Sequence, residues 1–136
     1  MPILVLQLSY NSTTNVKDTI VINGSIPKQP LELVHYGIKL SPTGDANLDY
    51  LHIKLPFLND FDVNTNYTIS NAFPIFHDST RIQSDTECSY LFNPSQNIQQ
   101  NISSQDWEVY AEDGSVYVTK DYTITLVFNY RRQDLV

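Results

Sequence analysis

Histidine and cysteine are the residue types in this chain best suited to metal binding or nucleophilic catalysis. The three histidines, which lie far apart in the sequence, are His35, His52 and His77. None of the three has a second potential ligand nearby at the spacing of known metal-binding motifs. We therefore expect each histidine to face solvent or to be hydrogen-bonded. The alternative is a zinc or copper site that all three form together in space. Cys88 alternates in phase with Tyr90 and Phe92, which predicts a core-facing thiol that behaves as a small hydrophobe.

Carboxylates for acid–base catalysis would have to come from polar loops. The aspartates in or beside such loops are Asp45, Asp49, Asp60, Asp62, Asp78 and Asp85. An ordinary solvated carboxylate is the expected state at these positions. Residues 59–64 alternate side-chain oxygens that could contact calcium, but this segment lacks the Gly and the terminal Glu of an EF-hand loop. The sequence therefore predicts no catalytic residue, no metal site and no cofactor.

The charge balance and the single cysteine restrict the classes of function. The chain has 8 basic and 15 acidic residues, for a net charge of −7. Phosphate binding requires a concentration of Lys and Arg that this chain lacks, so we expect no direct contact with nucleic acid. One cysteine allows no disulfide within the chain. The N-terminal run lacks the features of a signal peptide, and no segment has the length of a transmembrane helix, so we predict neither secretion by that route nor membrane insertion.

Alternating apolar and polar residues predict strands along the chain, separated by turn-rich connections. The predicted strands are 4–10, 19–23, 31–40, 51–57, 67–76, 87–92, 107–111, 116–119 and 122–130. Pro74 places its strand at an edge or at a bulge, and Pro56 ends regular pairing or lies at an edge. Residues 59–66 and 78–85 are predicted loops, and residues 95–106 are predicted to form a long surface loop, with a helical turn as the alternative.

The segment 107–130 predicts a hairpin followed by a long strand. Asp113-Gly114 supplies the positive φ angles that a tight turn needs, and the flanking residues are β-branched and aromatic. The last strand, which ends at Tyr130, is apolar on one face and only mildly polar on the other. We therefore expect it inside a sheet rather than at an edge.

These elements together predict a single all-β domain over residues 1–136. About eight strands without a helix of ordinary length are typical of an antiparallel two-sheet sandwich, and the long connections favour a jelly roll. An immunoglobulin-like sandwich is the alternative. It is disfavoured because the paired cysteines that flank a core Trp are absent and the only Trp comes late in the chain.

The aromatic content exceeds what the interior of so small a sandwich requires, with 9 Tyr and 6 Phe. Three tyrosines predicted on strand faces opposite the apolar set are Tyr36, Tyr110 and Tyr117. Surface tyrosines are enriched in protein interfaces, so we predict that these three contact a partner. A sugar-binding aromatic platform would use the same residue type, so the class of partner stays open at this point.

The closing run WEVYAEDGSVYVTKDYTITLVFNY resembles the last strands of single jelly-roll capsid proteins from eukaryotic double-stranded DNA viruses and virophages, a group that includes penton and minor capsid subunits. The upstream runs LHIKLPFLNDFDV and FNPSQNI are compatible with that fold. The composition, rich in Asn, Ile and Tyr, is similar to that of proteins from AT-rich viral genomes.

The resemblance implies a non-enzymatic capsid subunit, located in the virion and assembled in the host cell. Such a subunit would form a pentamer or trimer with itself, and contact other capsid proteins, through the flanks of its sandwich. The alternative is a jelly-roll module that binds a carbohydrate or a receptor, such as a fibre head or a lectin-like domain. An enzyme of the cupin kind would need a histidine-rich metal cluster, which the sequence does not show.

Overall fold

The computed structural model describes residues 3–21, 31–41, 45, 48–55, 62–64, 68–70, 72–77, 83–92 and 107–130. The strands within these ranges are β1 (Ile3–Asn11), β2 (Val16–Val21), β3 (Leu31–Ser41), β4 (Tyr50–Lys54), β5 (Asp62–Asn64), β6 (Thr68–Ser70), β7 (Ala72–Phe76), β8 (Gln83–Phe92), β9 (Glu108–Tyr110) and β10 (Asp121–Tyr130). No helix in this part of the chain is long and apolar enough to span a bilayer.

Two antiparallel sheets of five and three strands form the body of the protein. The long sheet has the strand order β2-β1-β10-β3-β8, and the short sheet has the order β7-β4-β9. The small hairpin β5–β6 pairs only with itself. Because β10 lies between β1 and β3, the prediction that the last strand is internal is confirmed. The prediction that Pro74 marks an edge strand is also confirmed, since β7 is the outer strand of the short sheet.

Strands from the first part of the chain pair with strands from the second part, in the reverse of their order in the sequence. The first strand pairs with the last, β3 pairs with β8, and β4 pairs with β7. Side chains connect the remaining two strands, because Lys17 of β2 approaches Glu108 of β9 to 3.6 Å. Of these pairs, β1–β10 and β3–β8 lie in the long sheet and β4–β7 lies in the short sheet, whereas β2 lies in the long sheet and β9 in the short one. The predicted antiparallel two-sheet sandwich is confirmed, and the nested pairing is typical of the predicted jelly roll.

The core lies between the inner faces of the two sheets. Every second residue of β1 and of β10 points inward and is almost completely buried; these residues are Leu4, Leu6, Leu8, Tyr10, Tyr122, Ile124, Leu126 and Phe128. Leu51, Ile53 and Val109 of the short sheet pack against them, together with Trp107. Burial of each such side chain stabilises the fold by roughly 1.5–3 kcal/mol before the entropic cost is counted.

The predicted hairpin at Asp113-Gly114 forms a turn but not a second strand. The Ala111 carbonyl accepts from the Gly114 N–H at 3.0 Å, and Gly114 alone of the pair has a positive φ, of 88°. The loop therefore has three residues: a β-turn from Ala111 to Gly114 has Glu112 and Asp113 at its centre, and Gly114 follows at the left-handed bulge position. After it the chain forms only an isolated bridge, Tyr110 to Val116, so the prediction of a strand at 116–119 is wrong.

Other elements also differ from the sequence prediction, and the predicted strand 67–76 is two strands, β6 and β7. Strand β2 begins at Val16, three residues earlier than expected, because it continues directly from the turn after β1. Strand β8 begins at Gln83, inside the predicted loop 78–85, because its polar start pairs with the exposed end of β3. Residues Asp62–Asn64 form β5 where a loop was expected. The predicted loop at 95–106 lies outside the described residues, as do residues 59–61 of the segment 59–64 that was considered for calcium.

Candidate functional site

The three histidines lie in different places, and the structure does not unite them. His52 and His77 are buried, whereas His35 is half-buried on the long sheet. Among the described residues, no group of three or more His, Cys, Asp or Glu side chains is placed to hold a metal ion. The expectation that each histidine is solvent-facing or hydrogen-bonded is wrong for His52, whose side chain is 1% exposed and whose Nδ1 has no hydrogen-bond partner.

The Cys88 thiol lies on the core side of β8, as predicted. It is half-buried and donates a hydrogen bond to the Leu33 carbonyl oxygen at 3.4 Å. Burial, and after it the negative charge of Glu32, raises the pKa of this thiol. Because the thiolate is the nucleophilic form, a raised pKa disfavours covalent chemistry at this position.

Two of the three tyrosines predicted to lie on the surface are in the core. Tyr36 is 1% exposed, and its hydroxyl accepts a hydrogen bond from the Phe76 N–H at 3.0 Å, which ties the long sheet to the short one. The error has a local cause: β3 carries a β-bulge between Leu33 and His35. A bulge shifts the alternation by one residue, so Leu33 and Tyr36 both point inward.

Tyr117 is 4% exposed and donates a hydrogen bond to Asp45 Oδ2 at 2.8 Å. It points inward because the segment after the turn does not continue as a regular strand, and the valines on either side of it, Val116 and Val118, are exposed instead. Only Tyr110 of the three predicted residues keeps a partly exposed position, on the outer face of the short sheet. The alternation of apolar and polar residues in the sequence does not distinguish Tyr110 from Tyr36 and Tyr117.

The outer face of the short sheet carries a row of rings that we call the aromatic face: Tyr50, His52, Phe76 and Tyr110. Cross-strand register places Tyr50 opposite Phe76 and His52 opposite Tyr110. The Tyr50 ring lies 5.1 Å from His52 and 6.0 Å from Phe76, measured between ring centroids. Phe76 is 54% exposed, so the aromatic face ends in an apolar surface in contact with water.

A second feature, the flank cavity, opens at the side of the sandwich and has a volume of about 420 Å³. Residues from the β1–β2 hairpin, from β9, from the segment 116–118 and from the start of β10 line it. Its wall contains the rings of Tyr10, Tyr117 and Tyr122, with centroid separations of 5.3 Å between Tyr10 and Tyr122 and 6.0 Å between Tyr117 and Tyr122. The cavity lies between β2, at the edge of the long sheet, and β9, at the edge of the short sheet.

No family model matches the chain, and neither a curated protein nor a solved structure matches it. The function must therefore be argued from the aromatic face and the flank cavity themselves.

Charged groups border the flank cavity in a fixed arrangement. Lys17 Nζ donates to the Trp107 carbonyl oxygen at 2.7 Å and lies 4.9 Å from the centroid of the Trp107 ring, a cation–π contact. The same ammonium group is 3.6 Å from Glu108 Oε2. The Trp107 indole N–H in turn donates to Thr19 Oγ1 at 2.6 Å, which connects β2 to the residue before β9 next to the cavity.

Two tyrosines of the flank cavity, Tyr117 and Tyr122, have hydroxyl groups whose pKa is raised, so they stay protonated at any physiological pH. Burial raises the pKa of Tyr122 well above its usual value, and the nearby Glu108 charge raises it further. Burial also raises the pKa of Tyr117, as does its hydrogen bond to Asp45. Rings that stay neutral next to a paired Lys and Glu suit a polar, uncharged ligand better than an ion.

Proposed function

We propose that this protein is a structural subunit of a viral capsid, of the penton or minor capsid type, that assembles with further copies of itself. Two features support the proposal: the nested jelly-roll pairing of β1 with β10, and the resemblance of the run 107–130 to the closing strands of such subunits. One fold serves many functions, so the fold alone does not establish this role. The main support for assembly therefore comes from a surface that could contact another copy, the aromatic face.

The distribution of charge favours the aromatic face as the contact between copies. The outer face of the long sheet is acidic. Its acidic residues are Asp18, Glu32, Asp85, Glu87 and Asp121, and Lys39 is a basic residue among them. Two copies that met there would repel each other. On the short sheet Lys54 lies opposite Glu108 in the register, so the local charges balance and two copies can approach.

The exposed rings supply the contact area. Phe76 and the partly exposed Tyr110 are of residue types that dominate binding energy when a partner removes them from water. Both lie on strands rather than loops, so little conformational entropy is lost when a partner orders them. We expect another copy of this chain to cover them.

Light scattering across a dilution series tests the assembly, with a matched pair of variants to locate the contact. The protein is expected to form a pentamer or trimer, Phe76→Ser is expected to dissociate it, and Leu91→Ser is expected to leave it intact. Leu91 is the control because it is an apolar residue, 66% exposed, on the edge strand of the long sheet. Dissociation by Leu91→Ser alone would place the contact on the other sheet.

A protein that stays monomeric at every concentration would contradict self-assembly. It would support the second candidate, a jelly-roll module that binds a carbohydrate or a receptor, and the observation that favours that candidate is the flank cavity.

A further inference from the structure

We propose that one end of the outer face of the long sheet binds a basic amphipathic helix of another polypeptide. The apolar residues of this surface, which we call the outer patch, are Ile3, Val5, Ile20 and Val127. The outer patch and the aromatic face lie on opposite sides of the sandwich. A helix bound here therefore does not compete with copies that assemble through the aromatic face.

Strand register places the side chains of the outer patch next to one another. Val5 lies directly opposite Val127, and Ile3 is the neighbouring residue of β1 on the same face. Ile20 of β2 lies opposite Gln7, which puts it diagonally next to Val5. Ile3 and Ile20 are 40% and 51% exposed, and the two valines are half-buried. The patch therefore presents adjoining apolar surface across β2, β1 and β10.

The next positions of β1 and β10 on the same face are polar, so the apolar residues are grouped at one end. Farther along β1 the outward residues are Gln7, Ser9 and Asn11, and on β10 they are Thr125 and Thr123. The solvated face of an antiparallel sheet normally carries polar residues of this kind. A contiguous apolar group on such a face marks an interaction site more often than scattered apolar residues do.

Carboxylates border the outer patch and determine the charge of its partner. They are Asp18, Glu32 and Glu87. Asp18 is the outward residue of β2 that precedes Ile20. On the other side of the patch, Glu87 shares a cross-strand row with Val127, from which only His35 separates it. The apolar surface thus lies between negative charges on β2 and on β8.

A basic polypeptide is the partner that these charges favour. Its lysine or arginine side chains would pair with the carboxylates while its apolar side chains cover the outer patch. A nucleic acid or an anionic membrane would be repelled, and a second copy of this chain would bring the same carboxylates to the contact. Lys39 of the same face lies opposite Thr123, about 14 Å along β10 from Val127, so it does not neutralise the charges next to the patch.

The width of the outer patch fits one helix. Neighbouring strands are about 4.8 Å apart, so β2, β1 and β10 together span about 10 Å. A helix with its side chains is about 10–12 Å wide, and its apolar residues recur every three or four positions along one side. Because β1 and β10 are each paired on both sides, a partner meets them through side chains and not by adding a strand.

Fluorescence anisotropy with a labelled synthetic peptide measures the binding. The peptide, of about 18 residues, has Leu at helical spacing on one side and Lys on the other, and a second peptide has Glu in place of Lys. The Lys peptide is expected to bind, and the Glu peptide is not. An increase in salt from about 0.1 M to about 1 M shortens the screening length from about 10 Å to about 3 Å, so it should weaken the binding.

Two matched pairs of variants locate the contact. Ile20→Ser is expected to weaken binding of the Lys peptide about tenfold, because less apolar surface leaves water, whereas Val118→Ser, at an equally exposed position of the flank, should not. Glu87→Gln should weaken it about two- to fivefold, because an ion pair at the edge of the contact is lost. Glu108→Gln makes the same change of charge on the short sheet and should not weaken it.

Val127→Thr keeps the shape of its side chain and should also weaken the binding, which provides a second test if Ile20→Ser alters folding. The proposal is overturned if the Lys peptide does not bind, if both peptides bind equally, or if Ile20→Ser and Val118→Ser have equal effects. Equal weakening by Glu87→Gln and Glu108→Gln would show a general attraction to an acidic protein and would also overturn it. Light scattering measures the oligomeric state separately, so failure of this site and failure of capsid assembly are distinguishable.

Discussion

The two sheets of this jelly roll differ in how they are held together and in what they show to solvent. In the long sheet the β1–β10 register runs without a break from Ile3 to Tyr10, whereas β9 pairs with β4 over three residues. The long sheet has an acidic outer face, and the short sheet has an aromatic one. The difference indicates that the long sheet supplies most of the stability, while the short sheet supplies the surface proposed for contacts between copies.

The largest expected effect is in the middle of the long sheet. Phe128→Ala should lower the free energy of unfolding by about 3–5 kcal/mol, because it removes a fully buried ring from β10. Val109→Ala in β9 should cost roughly 1.5 kcal/mol, since fewer buried methyl groups are lost. Urea unfolding of both variants gives the comparison. A larger loss for Val109→Ala would mean that the short sheet is the more important one.

A smaller effect is expected where the two sheets are joined by side chains. Thr19→Val keeps the shape of the side chain but removes the acceptor of the Trp107 indole N–H. A buried donor without a partner costs about 1–3 kcal/mol. Thr125→Val, on the outer face of β10, is the matched control and should change stability little. If both variants lower the free energy of unfolding equally, the hydrogen bond between β2 and Trp107 does not contribute to stability.

The turn after β9 is expected to contribute less again. Gly114 has a φ of 88°, and a side chain at that position costs about 1 kcal/mol. Gly114→Ala should therefore lower the unfolding free energy by that amount, whereas Thr119→Ala, at an exposed position of the same segment, should not. Thermal unfolding measures both variants. An unchanged melting temperature for Gly114→Ala would contradict this account of the turn.

The smallest expected effect is a pH dependence that originates in the short sheet. Burial lowers the pKa of His52 below the value of about 6.5 that an exposed histidine has, and the nearby Glu112 only partly opposes this. The unfolded chain therefore takes up a proton more readily than the folded chain, so stability is complete above about pH 6.5 and decreases as the pH falls below it. The comparison of urea midpoints at pH 7.5 and pH 5.5 measures the loss.

His52→Leu should reduce this pH dependence, because it removes the buried ionisable group without opening a large cavity. His35→Gln replaces a half-buried histidine of the long sheet, and this variant should keep the pH dependence of the parent protein. If the pH dependence disappears in His35→Gln but persists in His52→Leu, it originates in the long sheet and this prediction is wrong.

The sequence predicts the fold well because the fold depends on local patterns. The alternation in 122–130 identifies β10 and its internal position, and Pro74 identifies an edge. The bulge after Leu33 is not predictable in this way, because no single residue type marks it. It reverses the side on which Tyr36 lies, and this explains why that residue was placed on the wrong face.

The candidate sites are harder to predict because they depend on pairing between distant segments. The aromatic face exists only because β4 pairs with both β7 and β9, a fact that the separate strand patterns do not contain. The flank cavity likewise combines residues from both ends of the chain, Tyr10 and Tyr122 among them. The composition indicated an excess of tyrosine, but which tyrosines share a wall is a tertiary property.

The central position of β10 has a consequence for how the protein is made. During synthesis β1 and β3 leave the ribosome long before β10, which later fills the space between them. Until then both strands have an unpaired edge, and such edges promote association between nascent chains. Folding of the long sheet is therefore delayed until translation reaches Tyr130, and the closing step joins strands that are far apart in sequence, which makes it slow.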